Sequence, residues 1–461
     1  MRSLTVNEDS RLSLWLHVRE FAVPPPMIES ATARRLSGDW AGACAAAHVD
    51  VDLDLRSAAR AHGGELASRV RDDLRRLAPD LLRWHMPRIA PDGLLRPGLT
   101  VSLARYRPAS HGGGGTVHLV ARTPPAWADA GQRISLALWD GSRSGAGAHP
   151  HPRPHRCFRL DLHRHLWDAR RVGELRVRSG ADRPPADGRP PAGLGVPLER
   201  GCAVDRWAAE ARTLLREEGL TGGAVAVRLG GRRRLVLEPE ADGDTRGLPA
   251  SRITAAPARG GGRALPVLPD AATWVLPDLA LLRAGLIEAD RLHPLVASAL
   301  VPGRPPGGAS RLPGGTAGRR LVECRGARHR IGLVDGVLVA LDHDPAEIRR
   351  EKLLAALTGT PLPCLRVIDE EHRDPESLAD VRARLDHGDA TGALTVVEDL
   401  LDSGAPLPAG TLRDELETAA LRRIAYGLFR AGLAEAGQGP APRPDRRPSG
   451  SRARPRHTMF R

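Results

Sequence analysis

The sequence predicts an α+β fold, on three observations. Both ends carry apolar residues at helical spacing. The middle carries short β-branched runs separated by glycine. Gly 50 and Pro 40 in 461 residues predict long irregular connections between the ordered pieces. The expected order is a helical N-terminal region over 1–90 and a mixed β/α region over 91–240. A loop-rich connector follows over 241–318, with helices near 276–300. A β-hairpin and helical bundle occupy 319–435, and a disordered basic tail 436–461.

The first helical pair begins after Pro24, Pro25 and Pro26, which stop the preceding segment. Ile28, Ala31 and Leu36 form one apolar stripe. Gly38 suits the positive φ that ends a helix, and Asp39 the N-cap of the next. Trp40, Ala43, Cys44 and Ala47 continue at i, i+3, i+4, i+7. The run RRLSGDWAGACAAA returns as RLDHGDATGALTVV at 384–397. There Pro375 opens a helix carrying Leu378, Val381 and Leu385, Gly388 ends it, and Asp389 caps the next. Gly42 and Gly392 read as small residues that let two helices approach closely. A Gly stop and an Asp start are what a tight helix pair needs, so the repeat is explained without a solenoid.

Leu66, Val70, Leu74 and Leu77 line a further helix, and LAPDLLRWHMPR adds a short turn ending near Pro87. GLTVSLARY, GTVHLVART and RISLALWD read as strands over 98–140, with a glycine loop at 112–115. LDLHRHLWDARRVGELRVR reads as helix and SGADRPPADGRPPAGLG as linker. RWAAEARTLLREEGL is an amphipathic helix. AVAVRLGGRRRLVLEPE is a hairpin turning at Gly230-Gly231, and residues 240–270 carry no predicted element. Residues 276–301 are helical in two pieces, and a second Gly/Pro stretch, 302–318, marks a boundary. HRIGLVDGVLVALDHD is a hairpin with an Asp335-Gly336 turn. Helices are expected at 345–357, 362–372, 375–387, 389–403 and 411–432, the last with Thr411 and Asp414 in capping-box spacing. Trp40, Trp84, Trp167, Trp207 and Trp274 fall on helical or apolar stretches and read as core anchors.

The runs RRLSGDWAGACAAAHVDVDLDL, LAPDLLRWHMPR, HLWDARR, LPDLALLRAGLIEADRLHPLVASAL and LDHDPAEIRREKLLAALTGTPLPCLRVIDEEHRDPE resemble segments of an uncharacterised protein family of high-GC Gram-positive, actinobacterial-type bacteria. The resemblance implies a bacterial cytoplasmic setting. It carries no activity, ligand or site residue.

The net charge of +13 points to anionic partners. Lys352 is the only lysine, and arginine with Ala, Gly and Pro is the mark of a GC-rich genome. The stretch GPAPRPDRRPSGSRARPRHTMFR places seven Arg against one Asp in the tail. Nucleic-acid binding through that tail is therefore the third functional expectation. The five cysteines, Cys44, Cys157, Cys202, Cys324 and Cys364, are scattered and never in C-x-x-C spacing, which argues against a disulfide framework or a zinc ribbon. No apolar run reaches the length of a membrane span, and the N-terminus has no cleavable signal pattern.

Two clusters carry metal-ligating or acid–base groups. HPHPRPHRCFRLDLHRH holds His149, His151, His155, Cys157, His163 and His165; imidazole and thiolate are zinc ligands. Its first part is proline-rich loop, and His163 and His165, two apart, would face different sides of a helix. Of these, His151, His155, Cys157, His163 and His165 are the metal candidates. Asp342, His343 and Asp344, with Asp369, Glu370, Glu371 and His372, form the second cluster. Asp344-Pro345-Ala346-Glu347 and Asp374-Pro375-Glu376 have the pattern of helix starts. Gly-x-Ser-x-Gly, H-E-x-x-H and the phosphate-binding P-loop are absent. Arg232, Arg233 and Arg234 beside the hairpin turn read as a solvated edge that deters strand pairing. No catalytic residue and no cofactor site is assigned. The leading expectation is a non-catalytic accessory or adaptor protein acting through a protein partner, with no membrane association. The alternative is a metal-dependent hydrolase using the His149–His165 cluster or the Asp342/His343/Asp344 loop.

Overall fold

The computed structural model describes residues 6–107, 115–129, 131–142, 149–182, 196, 201–230, 233–239, 251–255, 265–302, 320–324, 327–334, 337–340, 344, 346–350, 353, 376–400 and 411–433. The architecture is α+β, helices with small sheets. The expected helix at 362–372, the Asp335-Gly336 turn, Asp342, His343, the acidic run at 369–372 and the tail at 436–461 lie outside the described residues. Two compact units form: a larger one from Met1–Pro306 with Arg422–Arg461, and a smaller one from Gly307–Leu421.

In the larger unit, strands β1 (Val49–Val51), β2 (Arg88–Ile89), β3 (Leu94–Leu95), β4 (Thr100–Tyr106), β5 (Val117–Arg122) and β6 (Ile134–Trp139) follow the first helices. Four of them form a sheet in the order β1-β6-β5-β4. The β4–β5–β6 part is the antiparallel meander that the alternating runs predict. β1 is a departure from the all-helical reading of residues 1–90. Val49, Asp50 and Val51 pair in parallel with Ile134, Ser135 and Leu136. A second sheet joins β7 (Val225–Arg228), β8 (Arg234–Pro239) and β9 (Ser251–Ala255) in sequence order. β9 arises within 240–270, where no element was expected, and it makes β8 a central strand.

The larger core is dominated by aliphatic side chains and sealed by Trp15, Trp84, Trp167, Trp207 and Trp274; Trp40 is only partly buried. The helix Pro79–His85 is buried on every side, polar residues included. Burying polar groups at this density requires partners for each. Asp80 Oδ2 accepts from His293 Nε2 at 2.8 Å, while His293 Nδ1 caps the helix Pro294–Leu300 by accepting from the Leu295 amide at 3.1 Å. The Arg83 guanidinium donates to the carbonyls of Ala22, at 2.8 Å, and Gln132. Trp84 Nε1 donates to Asp278 Oδ2 at 2.8 Å. Burial lowers His85 to about 4, so it is neutral at pH 7.

Residues 160–178 do not form the single helix expected. Short 3-10 turns at Arg164–Leu166 and Val172–Glu174 lead into the helix Leu175–Ser179. The backbone here bonds outward instead: the Ala78 amide donates to Trp167 O at 2.8 Å and the Ala169 amide to Arg76 O at 2.9 Å. Arg164 also pairs with Asp73 across the core boundary.

The smaller unit carries the sheet β10 (Arg320–Cys324), β11 (Ala327–Val334) and β12 (Val337–Ala340), and the helices Glu376–His387 and Ala390–Leu400. Val381, Leu385, Ala393 and Val397 make its core, with Leu412, Leu416 and Ala419 packed against them. The last helix, Thr411–Arg430, contains the division between the units. Its later residues belong to the larger one. There Tyr426 donates to Asp50 Oδ2 at 2.5 Å, and Phe429 meets Trp127 edge-on at 5.5 Å. Asp50 also takes Arg133 in a two-bond pair at 2.8 and 2.6 Å.

The repeated helix junctions are the same to the atom. Gly38 and Gly388 have φ of +83° and +87°. Asp39 Oδ1 accepts from the Gly42 amide at 2.8 Å, and Asp389 Oδ1 from the Gly392 amide at 2.9 Å. Arg34 and Arg384, five residues before each Asp, donate to its other oxygen at 3.0 Å. The Gly42 amide bond and then Arg34 hold the Asp39 carboxyl below the usual carboxylate range. This geometry corrects the reason for the second glycine. A Cβ on Gly42 would lie 2.0 Å from Asp39 Oδ2, and one on Gly392 2.1 Å from Asp389 Oδ2. The glycine makes room for the capping carboxylate, not for a neighbouring helix. Replacing a helical Gly by Ala normally stabilises by roughly 0.5–1 kcal/mol. Gly392→Ala is expected to have the opposite sign, a loss of about 1 kcal/mol as the cap is displaced, and Gly42→Ala the same direction. Urea titrations of each variant check this; a gain in either would mean the carboxylate moves aside at no cost.

Candidate functional site

The structure splits the histidine cluster. His163 and His165 are sealed, each 1% exposed, with ring centres 5.6 Å apart. His163 Nδ1 lies 3.2 Å from Arg178, which makes a two-bond pair with Glu210 at 2.7 and 2.6 Å. Burial pushes both imidazoles well below their usual range, so neither carries charge at neutral pH. His149 is spent on the backbone: Nε2 donates to Thr123 O at 2.9 Å and Nδ1 accepts from the His151 amide at 3.2 Å. Among the described residues no group of three His, Cys, Asp or Glu is arranged to hold a metal ion. Asp344 accepts from the Ala346 amide at 3.0 Å, as a helix cap does.

His151, His155 and Cys157 have a different setting. They line an open pocket of about 690 Å³, one side of which is the loop Pro150–Cys157. The loop is irregular because proline alternates through it, yet it is pinned. Thr100 Oγ1 donates to His151 O at 2.6 Å, the His155 amide to Thr100 O at 2.9 Å, and the Asp270 amide to Cys157 O at 2.9 Å. The remaining lining comes from Ala226 and Arg228 of β7, Arg234 of β8, and Val267, which bridges to Ala226.

Among the described residues four arginines reach this lining, Arg153, Arg156, Arg228 and Arg234, and no carboxylate does. Arg228 and Arg234 are direct cross-strand partners, a like-charge arrangement that opposes strand pairing. Arg228 Nη1 donates to Cys157 Sγ at 3.1 Å. Burial, then the nearby Asp270, raises the Cys157 thiol, so it is not a poised nucleophile. Burial and the guanidiniums of Arg96 and Arg228 lower His155 to about 4. Asp270 lies 3% exposed, with Oδ2 making no hydrogen bond. Burial raises its carboxyl well above the usual range, against the pull of Arg228 and Arg96. Chemically the pocket offers positive charge and hydrogen-bond donors beside the lowered His155 and the raised Cys157.

Arg228 and Arg234 were missed as a pair for a definite reason. A two-residue turn at Gly230-Gly231 would set Arg233, not Arg234, opposite Arg228; the observed register is one residue longer, which turns the other face of β8 toward the site. β8 is paired on both sides only from Leu235 onward; Arg233 and Arg234 are exposed, with Arg234 paired to β7 alone, and Arg232 lies outside the described residues. A second contact was not foreseen. Ser102 Oγ is 3.0 Å from His118 Nδ1, but Ser102 is fully buried and burial lowers His118 to about 4. It fixes β4 to β5 rather than presenting a nucleophile.

Among the described residues no helix is long and apolar enough to cross a membrane. No known protein family, curated protein or solved structure matches the chain.

Proposed function

We propose that the chain is a non-catalytic accessory or adaptor protein of a bacterial cytoplasmic system, working through protein–protein contacts. The observation that carries this reading is the end of the last helix, which is apolar on two sides. Ala425, Tyr426 and Phe429 turn inward, while Ile424 and Leu428, one turn apart, are 60% and 42% exposed. A surface helix needs only one apolar stripe to dock on its own core; a second is a contact surface in search of a partner. Supporting it, several side chains with chemical capacity hold the fold: His149 on backbone, His163 against Arg178, Asp39, Asp344 and Asp389 on helix starts.

Gel filtration of native extract against the purified chain tests the reading. The protein in extract should elute earlier than the purified chain, and Ile424→Glu/Leu428→Glu should return it to the purified position without changing its melting temperature. Identical elution of extract and purified protein would sink the proposal.

A further inference from the structure

We propose that the outer face of the last helix receives an amphipathic helix of another protein, one with a small residue at the crossing point and a carboxylate beside it. This names the partner chemistry for the adaptor reading and rests on that reading. The face is made by Ile424, Gly427, Leu428 and Ala431, all exposed. Their i, i+3, i+4, i+7 spacing puts the four positions on one side of a helix. The opposite side is spent on the larger unit through Ala425, Tyr426 and Phe429. Gly427 carries the first argument. Glycine is the poorest helix former after proline, and this one stands inside a helix of 20 residues. Its φ is not in the left-handed region, and a Cβ built on it would meet no atom of the described residues within 4 Å. Gly42 and Gly392 make room for a carboxylate of their own chain; Gly427 makes room for nothing in the described structure. Between exposed Ile424 and Leu428 it leaves a notch where a second backbone can come close.

The second argument is shape. Ile424 and Leu428, at i and i+4, form a short ridge, and the groove between the i±4 rows of another helix is what such a ridge packs into. The third argument decides between a foreign helix and a second copy of this chain. Arg423 and Arg430, at i and i+7, border the same side of the face. Arg430 is held by Asp50 at 3.3 Å and by Asp52. Arg423 is exposed and forms no ion pair among the described residues. Two copies crossing antiparallel at Gly427 would set Arg423 of one level with Ala431 of the other, next to Arg430. Crossing in parallel would set the two copies of Arg423 side by side. Either arrangement brings like charges together, which opposes association. A partner helix with glutamate or aspartate at that level meets Arg423 with the opposite sign.

Fluorescence anisotropy with three synthetic amphipathic peptides of about 18 residues, long enough to hold a helix, tests this on the full chain. The first carries alanine at the centre of its apolar face and glutamates along one flank. The second has phenylalanine at that centre, and the third has lysines along that flank. The first should bind at least tenfold tighter than either. Gly427→Leu should weaken it tenfold or more. Gly427→Ala, into open space, should weaken it several-fold while holding or raising the melting temperature, and serves if the leucine variant fails to fold. Arg423→Glu should reverse the preference toward the lysine peptide, and Arg60→Gln, on an unrelated helix, should change nothing. Equal binding of the three peptides, a Kd above about 1 mM for the first, or unchanged binding in the Gly427 and Arg423 variants would overturn the proposal. A dimer in sedimentation that Gly427→Leu abolishes would also overturn it, in favour of a second copy. The adaptor reading fails separately. If the complex in extract is lost in Ile424→Glu/Leu428→Glu yet kept in Gly427→Leu and Arg423→Glu, a protein of another shape docks there and only this inference falls.

Discussion

Trp84→Ala should destabilise the larger unit by about 3–5 kcal/mol, the usual range for truncating a sealed tryptophan. Trp84 is 1% exposed, and its ring lies 5.3 Å from that of Trp15 and beneath the Arg19 guanidinium at 5.1 Å. The indole also supplies a hydrogen bond to the buried Asp278 carboxylate. Truncation therefore removes packing and a donor together. Trp84→Phe separates the two: it keeps most of the packing and loses the donor, for an expected cost of about 1–3 kcal/mol. Urea unfolding of both variants, compared at equal m-values, gives the difference. A loss under about 1 kcal/mol in Trp84→Ala would mean that the helix Pro79–His85 is not the centre of the core.

Asp270→Asn should raise the melting temperature at pH 8 and have little effect near pH 3. The sign follows from burial. The folded carboxyl has its pKa raised above the ordinary 3.8. Stability from its protonated form is therefore fully present below 3.8 and lost as pH rises through the folded value. At pH 8 the wild type carries the cost of an ionised, sealed carboxylate or of keeping it protonated, and asparagine carries neither. Melting curves of both proteins from pH 3 to pH 8 should diverge upward in favour of the variant. If Asp270→Asn is instead the less stable at pH 8, the ionised carboxylate is anchoring Arg228 and Arg96 and its burial is offset in full.

Much of the helical structure was legible because apolar spacing reports local geometry. Leu66, Val70 and Leu74 fall in the helix Gly64–Arg76 as spaced, and the Gly-Asp junctions form where glycine and a capping acid stand together. What the sequence hides is partnership at a distance. Val49–Val51 is three residues long and finds its partner 85 residues on, in parallel, so no local alternation marks it. Arg34 and Arg384 belong to their junctions through an ion pair across a turn, which no periodicity records. The site suffered most. Its loop has no regular element, its two strand arginines depend on a one-residue register, and the strand that centres β8 lies in a glycine-rich stretch. The histidines that do form a contiguous sequence cluster are divided between a sealed turn and the open pocket.

The larger unit is written in two parts of the chain, with the whole smaller unit between them. Asp50 and Tyr426 are 376 residues apart. A ribosome working at about 5–20 residues per second needs roughly 20–75 s to travel that far. Once Arg133 has been made, 83 residues after Asp50, it can hold that carboxylate, but Tyr426 cannot, because the tyrosine does not yet exist. The sheet that carries Asp50 must therefore stand without its last contact while everything from the first meander to the smaller unit is made. Synthesis order makes the helix Thr411–Arg430 a closing step: the nascent larger unit gains its Tyr426 contact only after the whole smaller unit has been made.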